Sequence, residues 1–136
     1  MLAPSMSWVI PYISVSEIKQ SLAFYQAAFG FQPIDIAEDQ DGRAIHAEMR
    51  YQGMVIMIGL AGACDETSKT PKQSGQLSPI SIYVYVHDVD QFYQNAIAQG
   101  AINVGEPEDM FWGDRCCRLQ DQDGYIWCFG SHLGKS

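Results

Sequence analysis

The segment His46-Ala47-Glu48 sets an imidazole and a carboxylate two residues apart. On a β-strand that spacing puts both on one face, where they form an acid/base pair or, with a further donor, part of a metal site. His46 and Glu48 are therefore the candidate catalytic residues, and a paired, hydrogen-bonded His/Glu on a sheet face is the structural reading beside it. H-x-E also opens the zinc deaminase signature, but the accompanying P-C-x-x-C is absent, which removes deamination. Cys116-Cys117 sends one thiol to each face of a strand, the buried one reading as a small apolar filler. His87 precedes an acidic helix start and reads as a turn residue, and His132 in Gly-Ser-His-Leu-Gly reads as solvated. No G-x-G-x-x-G, P-loop lysine or G-x-S-x-G occurs, so nucleotide binding and serine hydrolysis have no support.

The elements that position these residues come in duplicate. Residues 10–30 and 81–100 share a pattern at an offset of 71: a β-like run, an acidic helix start (Glu17 or Asp88), then a helical period. Ile18, Leu22, Tyr25 and Phe29 form the apolar stripe of the first helix, and Val89, Tyr93, Ala96 and Gly100 hold the matching positions. Gly30 and Gly100 are read as helix stops, and Asp88 with Gln91 as a capping pair. Downstream, Arg43–Met49 leads through Gly53 into residues 54–59, and Arg115–Asp121 leads through Gly124 into residues 125–130. Asp-Gly between apolar runs is a hairpin signal. With second strands near Gln32–Glu38 and Ile102–Gly105, each half reads as βαβββ. Module one spans 8–60, a Ser/Thr/Gly/Lys-rich linker 61–78, and module two 79–132. Each half alone would have a marginal core, so one domain over 1–136 is expected, of α+β class.

The 136 residues are 47% hydrophobic and 18% charged, the composition of a packed globule. Eight Lys and Arg against sixteen Asp and Glu leave a net charge of −8, which argues against nucleic acid; it can steer a cationic ligand or partner, though a charged surface that serves only solubility is the commoner case. The longest apolar runs, such as 54–61, are too short to span a bilayer, so no membrane partner is expected. Residues 1–6 show no basic n-region, and the four cysteines have no C-x-x-C spacing. A reducing cytoplasm is the expected location.

The tandem βαβββ, the SLAFYQAAFGF segment, VYVHDVDQFY with its later QGA, and WGDRCCRLQDQDGYIWCF together resemble the vicinal oxygen chelate superfamily. That group includes glyoxalase I, extradiol dioxygenases, fosfomycin-modifying enzymes and bleomycin resistance proteins, and the resemblance covers about residues 8–132. It implies the glyoxalase/bleomycin resistance/dihydroxybiphenyl dioxygenase fold, tandem modules forming a cup-shaped cleft, and a homodimer. The family's four metal-ligand positions, carried over by spacing, fall on Ile10, Met57, Ser81 and Cys128. Isoleucine cannot coordinate, methionine is soft and neutral serine is poor, so no metal and no cofactor is expected. Tyr12, Tyr83 and Tyr85 alternate with Ile10 and Ser81 and share their face, while Phe111-Trp112 lies in a loop. The resemblance thus implies a pocket for a small-molecule ligand formed by Tyr12, Tyr83, Tyr85, Met57, Ser81, Cys128 and Trp112. Arg115 adds a cation at the rim or pairs with surface acids.

Three functions follow from this reading. The first is a metal-free protein that binds or sequesters a small aromatic or cationic molecule, resembling the bleomycin resistance branch. The second is a metal-dependent lyase, isomerase or dioxygenase of the glyoxalase type, which needs ligands that the register does not supply. The third is a metal-independent lyase or isomerase with His46 or Glu48 as base.

Overall fold

The computed structural model describes residues 1–134 and divides the chain into two compact units, Met1–Thr70 and a second that begins at Pro71. The first contains β1 (Tyr12–Val15), α1 (Ile18–Phe29), β2 (Gln32–Glu38), β3 (Ala44–Tyr51) and β4 (Met54–Leu60). Its sheet has the order β1-β4-β3-β2, with β1 parallel to β4 and the other neighbours antiparallel. Helix α1 starts where the extended Glu17 turns its carboxylate back to accept from the Gln20 N–H. It ends at Gly30, whose φ of 72° is the left-handed conformation that lets its N–H reach the Gln26 carbonyl at 3.1 Å. The stripe Ile18, Leu22, Tyr25 and Phe29 is buried, together with Ile13, Val15, Met49 and Ile58 of the sheet. Tyr25, Phe29 and Phe31 close this core with ring centroids 5.6–6.0 Å apart.

The second unit repeats the plan with β5 (Ile82–Tyr85), α3 (Val89–Ala98), β6 (Ile102–Asp109), β7 (Asp114–Gln120) and β8 (Ile126–His132), in the order β5-β8-β7-β6. Asp88 caps α3 by accepting from the Gln91 N–H at 3.2 Å. Phe92 of α3 packs on Phe129, which in turn stacks against the buried Trp127. The two halves keep one register: Tyr12 sits opposite Met57, and Tyr83 opposite Cys128. Both are therefore α+β units, each a four-stranded mixed sheet with its helix on one face. Among the described residues, no helix is long and apolar enough to cross a membrane.

Three departures from the expected elements matter for the site. The segment expected as linker contains a short helix, α2 (Pro71–Ser74), tied to the second unit by the Lys72 N–H on the Asp123 carbonyl at 3.0 Å. Strand β6 runs to Asp109 rather than stopping at Gly105, with irregular pairing between Asn103 and Glu108. Pro107 falls in that stretch and has no N–H to give to a ladder. Strand β8 continues two residues past Gly130, which sets His132 directly opposite Asp114 of β7.

Candidate functional site

Side chains that alternate along β5, β7 and β8 divide the second sheet into two faces. Trp127, Phe129, Cys117 and Leu119 go to the helix side and are buried. Tyr83, Tyr85, Asp114, Cys116, Arg118, Cys128 and His132 share the opposite, open face. Their centre is Asp114, whose side chain is only 3% exposed. Its Oδ2 accepts from the Tyr83 hydroxyl at 2.6 Å and the Tyr85 hydroxyl at 2.8 Å. Its Oδ1 lies 3.0 Å from His132 Nδ1. These donors outweigh desolvation and hold the carboxyl at about 2, below its usual 3.8, with Tyr83 first and His132 second. Asp114 is thus a buried anion at neutral pH. Tyr83 is raised above 10.0 by desolvation and by its bond to Asp114, and Tyr85 is raised by the same carboxylate.

The network continues outward. Tyr83 has one proton and gives it to the carboxylate, so the buried Cys116 thiol, 2.8 Å away, donates to the tyrosine oxygen. Cys116 therefore has a polar task in addition to filling space. Trp112 Nε1 donates to the same oxygen at 3.2 Å, and Phe111 meets Trp112 edge-on at 5.0 Å. Tyr83, Tyr85, Trp112 and Phe111 are all substantially exposed; the two tyrosines bond the buried charge, Trp112 bonds Tyr83, and Phe111 lies beyond Trp112. The Tyr83 ring lies across Gly130. A Cβ there would come within 2.8 Å of the Tyr83 oxygen and 3.1 Å of Cys116 Sγ. Gly130→Ala is expected to cost about 1–3 kcal/mol of stability by overpacking, read from urea unfolding, and to displace the Tyr83 ring. An unchanged denaturation midpoint would mean that the tyrosine does not rest on the strand.

The first sheet carries a looser version. Tyr12 lies across Gly59, the counterpart of Gly130, and its hydroxyl is 3.5 Å from His46 Nδ1. His46 Nε2 is 3.5 Å from Glu48 Oε2, with both side chains half-buried. The two do share a face, with Met57 opposite Glu48, but their separations are at the outer limit of hydrogen bonding. Among the described residues, no buried carboxylate anchors them.

Of the residues singled out from the sequence, Tyr83, Tyr85, Trp112 and Cys128 come together on the open face of the second unit. Tyr12, Met57, His46 and Glu48 belong to the first unit. Ser81 is exposed just before β5. Arg115 points to the helix side, where its Nε and Asp90 Oδ2 are 2.9 Å apart and its Nη1 and Asp109 Oδ1 3.1 Å apart. It thus pairs with acids, the second of the two roles its position offered. Asp114 is not among the expected site residues, and His132, expected as solvated, is exposed yet also bonds Asp114. The signal that finds them is alternation, Asp114/Cys116/Arg118 against Cys128/Gly130/His132.

The family's metal-ligand positions test poorly on this donor set. Ile10 and Met57 offer no charged or nitrogen donor. Burial raises the Cys128 thiol to about 11, so it is protonated at neutral pH, and a metal would first have to displace that proton. No group of three or more His, Cys, Asp or Glu among the described residues is placed to hold a metal ion. The residues present do not fit a resident divalent ion at those positions. A cavity of about 300 Å³ lies at the opposite end of β7, lined by Pro71, Lys72, Leu77, Ile102, Gln120 and Gly124. It has no aromatic lining and no exposed member of the Asp114 network.

Comparison with known proteins agrees with this architecture. The profile of the Glyoxalase/Bleomycin resistance protein/Dioxygenase superfamily matches residues 6–129. An uncharacterized protein of Mycobacterium bovis is 33% identical over 122 residues, 88% of this chain and 80% of its own length. TioX from Micromonospora sp. ML1 superposes with a TM-score of 0.75 at 24% identity, covering 93% of this chain and 99% of its own. A superfamily member from Sphaerobacter thermophilus gives a TM-score of 0.73 at 24% identity, covering 93% and 98%. At that identity the two solved structures speak for the fold.

Proposed function

Because the chain belongs to the glyoxalase/bleomycin resistance protein/dioxygenase superfamily, and its open sheet face gathers aromatic rings about a buried anion, we propose that it binds a small aromatic, cationic molecule without a metal. The observation that carries this reading is Asp114: a carboxylate kept ionised beneath Tyr83 and Tyr85, with Trp112 beside them. A cation seated on those rings is attracted by the electron-rich ring faces and by the charge below. The net charge of −8 steers the same class of molecule toward the protein. Sequestration needs neither nucleophile nor metal, in keeping with the donor set described above.

The test pairs benzyltrimethylammonium with its uncharged carbon isostere, in calorimetry and thermal shift, on protein treated with EDTA. The cation is expected to bind at least about tenfold more tightly, a difference of about 1.4 kcal/mol. Tyr83→Ala is expected to abolish that preference. Equal binding of the two probes, or binding that depends on restoring a divalent metal, would overturn the reading.

A further inference from the structure

We infer that His132 presents Nε2 as a hydrogen-bond acceptor to the hydroxyl of an aromatic ligand, so that phenols are the neutral class this face selects. An ionised carboxylate can only accept, so the 3.0 Å contact between Asp114 Oδ1 and His132 Nδ1 requires the proton on Nδ1. In the neutral ring, Nε2 then carries a lone pair, and among the described residues it has no partner. The His132 side chain is 58% exposed while Asp114 is buried, so the pair has a fixed inner end and an open outer end. Asp114 Oδ2 holds the Tyr85 hydroxyl at 2.8 Å, so the acceptor nitrogen and an exposed aromatic ring are fastened to one carboxylate. A ring seated on Tyr85 then lies beside an acceptor that hangs from the same carboxylate. The Tyr83 and Tyr85 protons are both committed to Asp114, so that carboxylate network offers an incoming hydroxyl no phenolic donor. What the ligand must supply is a donor, which a phenol has and its methyl ether lacks.

This inference rests on the reading that aromatic molecules seat on this face, and the probes separate the two. Affinities of p-cresol and 4-methylanisole are measured by calorimetry at mildly alkaline pH, alongside benzyltrimethylammonium. The phenol is expected to bind at least about tenfold tighter than the ether. His132→Ala is expected to bring the phenol down to the ether's affinity while leaving the ether unchanged. Nitrogen-15 spectra of the wild-type imidazole are expected to show the Nδ1–H tautomer, a readout that does not depend on any variant folding. Equal affinity of phenol and ether, survival of the preference in His132→Ala, or an Nε2–H tautomer would each overturn the inference. If benzyltrimethylammonium still binds in those cases, the aromatic seat stands and only the role of His132 falls. If none of the three probes binds, both readings fall.

Discussion

Asp114→Asn is expected to lower the melting temperature by on the order of 10 °C near neutral pH, and to lower it less and less as the pH falls. The carboxylate accepts from Tyr83, Tyr85 and His132, and only a group with two accepting oxygens can serve all three. Asparagine offers one carbonyl and turns an N–H toward one of the former donors. Two phenols and an imidazole then compete for fewer acceptors at a nearly buried position, where an unmet polar group is costly. The pH dependence follows from the depressed pKa. Folding lowers the Asp114 carboxyl from 3.8 to about 2, so the unfolded chain takes up the proton first as acid is added. The stabilisation is complete above 3.8 and is lost as the pH falls to about 2. The tyrosines give an alkaline limb of the opposite sense. Their folded pKa values lie above 10.0, so above that pH the unfolded chain loses protons that the folded one keeps, and stability falls. Urea midpoints of the wild type and Asp114→Asn across this range check the claim. A gap between the two curves that stays constant into strong acid would show that the Asp114 charge does not hold the network together.

The same network marks the boundary of what a single sequence discloses. The duplication was legible because Gly59 and Gly130 differ by 71, as do Met57 and Cys128, and the structure keeps that offset where β1 pairs with β4 and β5 with β8. The helices were legible for local reasons, an acidic cap at Glu17 or Asp88 and an apolar stripe with helical spacing. The pairing of β7 with β8 was not. In the first unit His46 stands opposite Gly59, whereas Cys116 stands opposite Gly130, so β7 is offset from β3 by 70 rather than 71. The extra residue is taken up in the turn. Arg50 pairs with Val55 across four residues, among them the positive-φ Gln52 and Gly53. Gln120 pairs with Ile126 around a five-residue connection. A one-residue change of register turns every side chain to the other face, which is why Arg115 belongs to the helix side and Asp114 to the open side. His132 was hidden for another reason. The last apolar run in the sequence ends at Gly130, whereas β8 continues to His132, and Gly130 is a strand residue whose missing side chain makes room for Tyr83.

That longer turn has its own organiser, and removing its anchor is expected to be the most damaging single change in the second unit. Trp127→Ala is expected to cost about 3–5 kcal/mol. Trp127 is fully buried and its ring stacks on Phe129 with an interplanar angle of 7°. The cost has two parts. One is the volume lost beneath α3, where Phe129 also supports Phe92 at a centroid distance of 4.3 Å. The other is polar. Trp127 Nε1 donates to Asp121 Oδ2 at 2.8 Å, while Asp121 Oδ1 accepts from the N–H groups of Asp123 and Tyr125, both at 3.0 Å. One carboxylate thereby ties the turn to the core strand that leads away from it. Trp127→Phe separates the parts, because it keeps an aromatic ring against Phe129 and removes the indole donor. It is expected to cost about 1–3 kcal/mol, the range for a buried acceptor that loses its partner. Urea unfolding of both variants, with an unchanged dependence on denaturant, reads the two values. A double-mutant cycle of Trp127→Phe with Asp121→Ala should then show a coupling well above that of distant sites. Strict additivity would mean that the turn stands without the tryptophan, and the five-residue connection would need another explanation for its register.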